Sequence, residues 1–221
     1  MTNPSIPSLD APYYEPASGG APKQLIVFLH GYGADGQDLI SLAPIFAEHF
    51  PDAAFASPNA PYPCEMAPWG RQWFSLLDRS PAALRAGAAS AEPILNHFLD
   101  DILARFELPA SKLALVGFSQ GTMMSLYAAP RRSEKIAGVV GYSGVINPDA
   151  LQPHDVRSTP PVCLIHGDQD EVVPYASLSI SADTLRDVGI SAEEHTRHNL
   201  GHGIDEQGIT IAIDFLKKSL V

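Results

Sequence analysis

Cysteine is nearly absent: Cys64 and Cys163 are the two in 221 residues. Two thiols do not build a disulfide framework, and no Cys/His spacing along the chain fits a zinc site, so no metal is expected. Cys163 lies in the apolar run Pro161-Val-Cys-Leu-Ile-His166, where a thiol packs as a small hydrophobe. Both cysteines read as free thiols of a reducing compartment. Long hydrophobic runs are also missing, and none approaches the roughly 18 residues that span a bilayer, so no transmembrane segment is expected. The opening residues Met1 to Asp10 have neither a basic segment nor an apolar core. They do not read as a secretion signal, and a cytoplasmic protein is expected. Basic residues are scarce, 14 Lys and Arg against 25 Asp and Glu, for a formal net charge of −11. A field of that sign repels phosphate backbones, which argues against nucleic acid as a partner.

What is present suits a folded enzyme-sized domain. Hydrophobic residues make up 45% and charged residues 18%, enough apolar surface to offset chain entropy. Residues 1–22 are rich in Pro, Ser, Ala and Gly and read as an irregular lead-in. Beyond them, short apolar runs alternate with amphipathic stretches. Strands are expected at 24–30, 53–57, 112–117, 135–141, 161–166 and 192–196. Helices are expected at 38–49, 81–107 (interrupted near Pro93), 120–130, 175–188 and 204–219. Alternating strands and helices make an α/β fold with a mostly parallel sheet. No repeat or linker divides the chain, so one domain over residues 1–221 is the economical reading. Residues 58–80 form a long loop carrying both tryptophans, and loops of that length in compact domains are usually functional or disordered.

The sharpest motif is Gly117-Phe-Ser-Gln-Gly121. A G-x-S-x-G pentapeptide alone is weak. Between an apolar strand and an amphipathic helix it is what a nucleophile elbow requires: a serine on a tight turn, hydroxyl raised above the sheet edge, small neighbours allowing close packing. The plain alternative is a glycine turn with a helix-capping serine. A serine hydroxyl needs a base, and the base needs an orienting acid. After strand 161–166 the chain offers Asp168, Asp170 and Glu171. Asp170, deepest in that loop, is the favoured acid, with turn formation the competing role for Asp168. After strand 192–196 the base is His195, His198 or His202. His202, flanked by Gly201 and Gly203 just before the last helix, is favoured. An oxyanion hole needs two N–H donors. Gln120, following the serine, and Tyr32, in the glycine-rich loop after the first strand, are the expected pair. That loop lacks the glycine patterns of nucleotide sites, and no cofactor is expected.

Taken with Leu29-His-Gly-Tyr-Gly33, Trp73-Phe74, Gly141-Tyr-Ser-Gly144, His166-Gly-Asp-Gln-Asp170, Val172-Val-Pro174 and Gly201-His202, the motif resembles the carboxylesterase/acyl-protein thioesterase family of α/β-hydrolases over residues 22–218. The resemblance implies an α/β-hydrolase fold with helices on both sheet faces and no separate cap domain. It implies Ser119 as nucleophile, Asp170 as acid, His202 as base, and Tyr32 and Gln120 as oxyanion donors. It also implies that the loop carrying Trp69, Trp73 and Phe74 lines an acyl groove, with Val173 as a second wall. Core packing is the competing role for these aromatics. The substrate expected is a small-molecule ester or acyl compound, with carboxylic ester cleavage ahead of acyl-protein thioester or lysophospholipid cleavage. A catalytically idle binding module and an acyltransferase are the more distant readings. An exposed apolar lining would equally suit a homodimer contact or a membrane contact. One departure stands out: Thr122-Met123-Met124 replaces the second glycine that relatives often carry after Ser-Gln-Gly, and is expected to alter helix packing or narrow the pocket floor.

Overall fold

The computed structural model describes residues 8–220. Within the lead-in lies a strand not expected from sequence, β1 (Tyr13–Tyr14). The apolar run that follows is β2 (Gln24–Leu29), buried from Leu25 onward. The helix expected at 38–49 is two short pieces, α1 (Gly36–Ile40) and α2 (Ala43–Ala47). Pro44 has no N–H to return to the Ile40 carbonyl, so the ladder breaks there. β3 (Ala53–Ala56) comes next, and β1 pairs antiparallel with it. Inside the long loop, β4 (Tyr62–Pro63) and β5 (Arg71–Gln72) form a small antiparallel hairpin.

α3 (Pro81–Arg105) starts at a Ser80 cap and runs unbroken through Pro93, so the expected interruption does not occur. An interior proline costs about 3 kcal/mol. Leu95, Phe98, Leu99 and Ile102, buried on the core face just after it, each contribute roughly 1.5–3 kcal/mol and outweigh that cost. The remaining elements are β6 (Leu113–Phe118), α4 (Gln120–Ala128), β7 (Gly138–Tyr142), β8 (Val162–Gly167), α5 (Ser177–Asp187), β9 (Ala192–Arg197) and α6 (Glu206–Ser219).

The main sheet has seven strands in the order β1-β3-β2-β6-β7-β8-β9. Every pair except β1 with β3 is parallel. Alternate side chains feed two cores. Leu25, Val27, Leu29, Leu113 and Leu115 meet α3, α4 and α5 on one face. Ile26, Phe28, Ala114 and Val116 meet α1, α2 and α6 on the other. Burial on both faces explains why the central strands read as continuous apolar runs. β9, at the edge, is instead polar (Ala-Glu-Glu-His-Thr-Arg) and only partly buried, as an unpaired edge requires. Among the described residues, no helix is long and apolar enough to cross a membrane.

Candidate active site

Parallel strands bring their C-terminal ends to one edge, and loops there are natural binding sites. The loops after β2, β6, β8 and β9 carry Tyr32, Ser119, Asp170 and His202. Ser119 sits between β6 and α4 with φ 53° and ψ −115°, a region non-glycine residues rarely occupy. Its N–H is tied to the Tyr142 carbonyl of β7 at 2.9 Å. The turn depends on two glycines. A Cβ on Gly121 would collide with the Leu29 carbonyl oxygen, and one on Gly117 would lie 2.6 Å from the Gly121 backbone. α4 therefore lies directly on the sheet, and its N-terminal N–H groups face the space above Ser119. Among the described residues, no acceptor takes the Tyr32 or Gln120 N–H. Both remain available to an oxyanion.

Asp170 is buried, and its carboxylate is fully engaged. Oδ1 accepts the N–H groups of Val172 and Val173, each at 2.9 Å. Oδ2 lies 2.8 Å from His202 Nδ1. Burial pushes the Asp170 carboxyl up, but the His202 and backbone hydrogen bonds outweigh it and hold it below the ordinary value. The acceptor requires a proton on His202 Nδ1, so in the neutral ring the lone pair is on Nε2. The Phe118 ring packs on the imidazole with centroids 4.8 Å apart. The competing residues are occupied elsewhere. Asp168 binds His198 at 2.8 Å and the Asn199 N–H at 2.8 Å, bridging two exposed loops. His195 faces Glu193 on the edge strand at 3.3 Å, and Glu171 is exposed.

Two further histidines support the site. His30 Nε2 accepts the Ala60 N–H at 3.0 Å, and its own carbonyl accepts the Trp73 indole N–H at 3.0 Å. His166 Nε2 donates to the Val173 carbonyl at 2.9 Å, bracing the loop that presents Asp170. Burial lowers both pKa values from 6.5, and their hydrogen bonds oppose this without reversing it. The unfolded chain therefore binds more protons as pH falls below about 6.5, and stability must fall with it. The thermal midpoint is expected to hold above about pH 7 and to drop progressively toward pH 5. A flat profile over that window would contradict neutral, buried His30 and His166.

Ser119 and His202 line one cavity of about 380 Å³, within the range of small-molecule sites. Its apolar walls include Leu76, Leu84, Met123, Val145 and Val173. Val173 lies in this lining, whereas Trp69 and Trp73 do not, and Phe74 lies only in an adjoining recess. Trp73 is fully buried and Phe74 nearly so. Gln120 clamps them from below: its Oε1 accepts the Trp73 N–H at 2.9 Å, and its Nε2 donates to the Phe74 carbonyl at 2.8 Å. These two aromatics anchor the loop to the elbow. Trp73 lines no part of the cavity, and Phe74 is absent from its main lining but walls a narrower recess that shares Leu84, Met123 and Val145 with it. Trp69 is 95% exposed, beside the β4–β5 hairpin and outside the cavity lining. Thr122 and Met123 divide the two effects expected of the Thr122-Met123-Met124 departure. The Thr122 hydroxyl lies 2.8 Å from the Gly117 and Tyr142 carbonyls, and its methyl packs on Gly141 and Gly144. Thr122 joins α4 to β7, and Met123 is the residue that reaches the cavity.

Among the described residues, Cys163, Glu193 and His195 form one group with metal-ligand atoms close together. The β8–β9 register assembles it, which linear spacing does not reveal. Burial pushes the Cys163 thiol up to about 12, which disfavours the thiolate that metal ligation uses. None of the three lines the Ser119 cavity.

A model of the phospholipase/carboxylesterase family matches residues 16–220. The chain belongs to that family. The phospholipase/carboxylesterase assignment is supported by a 28% identity over 208 residues to acyl-protein thioesterase 1 homolog 1 of Dictyostelium discoideum, covering 88% of this chain and 90% of the relative. Esterase YpfH of Escherichia coli is 27% identical over 198 residues, covering 90% and 84% respectively. Among solved structures, esterase PE8 is 42% identical with a TM-score of 0.91, covering 96% of this chain and 100% of that one. The Bacillus cereus carboxylesterase, 17% identical with a TM-score of 0.78 over 96% of this chain and 94% of its own, shares the α/β-hydrolase fold. The protein is thus an α/β-hydrolase of the esterase/thioesterase family.

Proposed function

We propose that the protein is a serine hydrolase that cleaves carboxylic esters through Ser119, His202 and Asp170. The observation that carries this reading is the 2.8 Å bond between Asp170 Oδ2 and His202 Nδ1, in a cavity shared with a serine held at φ 53°. His202 Nε2 takes the Ser119 proton as Oγ attacks the acyl carbon. The Tyr32 and Gln120 N–H groups hold the oxyanion. Collapse of the tetrahedral intermediate expels the alkoxide, which leaves with the proton from His202. Water then adds to the acyl-enzyme with His202 as base, and Ser119 is regenerated. No step needs a metal or an organic cofactor.

A second reading, thioester cleavage at the same site, is favoured by the resemblance to a protein named acyl-protein thioesterase. The test is hydrolysis of p-nitrophenyl esters from acetate to palmitate beside acyl thioesters of the same chains. Fluorophosphonate labelling followed by peptide mass spectrometry locates the nucleophile. Ester turnover with the adduct on Ser119 is expected. A faster thioester at every chain length would favour the second reading, and labelling at another serine would overturn the assignment.

A further inference from the structure

We infer that Arg79 forms an anion subsite at the mouth of the Ser119 cavity and selects esters whose acyl chain ends in a carboxylate. The inference rests on ester hydrolysis at Ser119 and adds the substrate class. The cavity lining contains one permanently charged side chain, Arg79, and no Asp or Glu. Its other walls, Leu76, Leu84, Met123 and Val145 among them, suit a hydrocarbon chain. Leu84, Met123 and Val145 also line a narrower recess with Phe74, Tyr127 and Ile146, where Arg85 is the one charged side chain, so the apolar surface extends past the reacting serine and no carboxylate enters it either.

Arg79 is exposed and finds no hydrogen-bond or ion-pair partner among the described residues. Arg71, Arg131, Arg132 and Arg197 are all held by carbonyls or carboxylates. The nearest acid in sequence is turned away: Asp78 Oδ1 accepts the Ser80 N–H at 2.8 Å. Ser80 in turn caps α3 through the Ala83 N–H at 3.3 Å, so Arg79 immediately precedes the cap of a 25-residue helix. The positive end of that helix adds to the cation's field. A guanidinium fork matches a carboxylate with two parallel bonds. The chain as a whole carries a net charge of −11, a field that repels anions. A carboxylate-bearing substrate would need a local cation of this kind to be admitted.

The experiment compares mono-p-nitrophenyl esters of adipate, suberate and sebacate with p-nitrophenyl esters of fatty acids of the same length. The readout is the ratio of kcat/KM for the two series in the wild type, Arg79→Gln and Arg79→Glu. The ratio is expected to fall roughly five- to tenfold in Arg79→Gln and further in Arg79→Glu, through KM rather than kcat. Added KCl should shrink the wild-type ratio, because an exposed charge is screened. A ratio unchanged within about twofold across the three proteins, with turnover still dependent on Ser119, would overturn the subsite alone. Inertness of the wild type toward both series would overturn the ester-hydrolase reading and this inference with it.

Discussion

Asp170→Asn is expected to lower kcat on a p-nitrophenyl ester by about 10⁴-fold with the fold retained, close to the roughly 10⁴- to 10⁶-fold loss expected for Ser119→Ala. The hydrogen-bond pattern explains why an isosteric change should cost so much. Asp170 Oδ1 accepts two backbone N–H groups, from Val172 and Val173. In the asparagine variant the amide oxygen must stay there, because an NH₂ group facing two donors would leave all of them unsatisfied. The NH₂ group then faces His202 Nδ1 and forces that nitrogen to accept. The imidazole proton moves to Nε2, the atom that must take the Ser119 proton, and the base is lost. The check is kcat, with circular dichroism confirming the fold. The double variant with Ser119→Ala should be no worse than Ser119→Ala alone, because the groups act as a unit. Additive losses in the double variant, or an active Asp170→Asn, would remove His202 and Asp170 from the reaction.

The sequence already carried the parts of this site that depend on order along the chain. A strand, a G-x-S-x-G turn and a helix are local, and so are the short loops holding Asp170 and His202. Five of the six main parallel strands were legible because burial makes each a short apolar run, and polar β9 was legible only from its place between two helices. The errors lie where distant contacts decide. Nothing local distinguishes Trp73 as an anchor from Trp73 as a groove wall. The distinction is made by Gln120 and His30, which are 47 and 43 residues away. Trp69 shares a loop with Trp73 but lies in the exposed connection between β4 and β5. The walls actually present, Leu76, Leu84, Met123 and Val145, come from separate segments with no common period. β1 was unreadable for a different reason: two tyrosines on an edge have too little pattern to announce a strand.

Gly121→Ala is the second large effect, and it separates close packing from intrinsic helix preference. Gly121 lies in the first turn of α4, where alanine is favoured over glycine by up to about 1 kcal/mol. Preference alone therefore predicts a more stable protein. The packing predicts the reverse, since the new Cβ would run into the Leu29 carbonyl oxygen and lie 2.9 Å from that of His30. Neither is a flexible side-chain end. The Leu29 carbonyl belongs to the central strand β2, and His30 is held through its ring to Ala60 and through its carbonyl to Trp73. α4 must move off the sheet, at a cost of about 3 kcal/mol or more. For a chain of this size that lowers the thermal midpoint by roughly 6–12 °C. Gly20→Ala is the control: a Cβ there meets only the Ser18 hydroxyl, at 3.8 Å, and the midpoint should barely change. Activity should fall in Gly121→Ala well below any unfolding temperature. The same displacement carries the Gln120 N–H away from the oxyanion, and a misplacement of about 1 Å is enough to cost 10²-fold. A Gly121→Ala protein that melts with the wild type and keeps its kcat would mean that α4 and β2 are not in contact at this glycine, and the elbow would need another explanation for its strained serine.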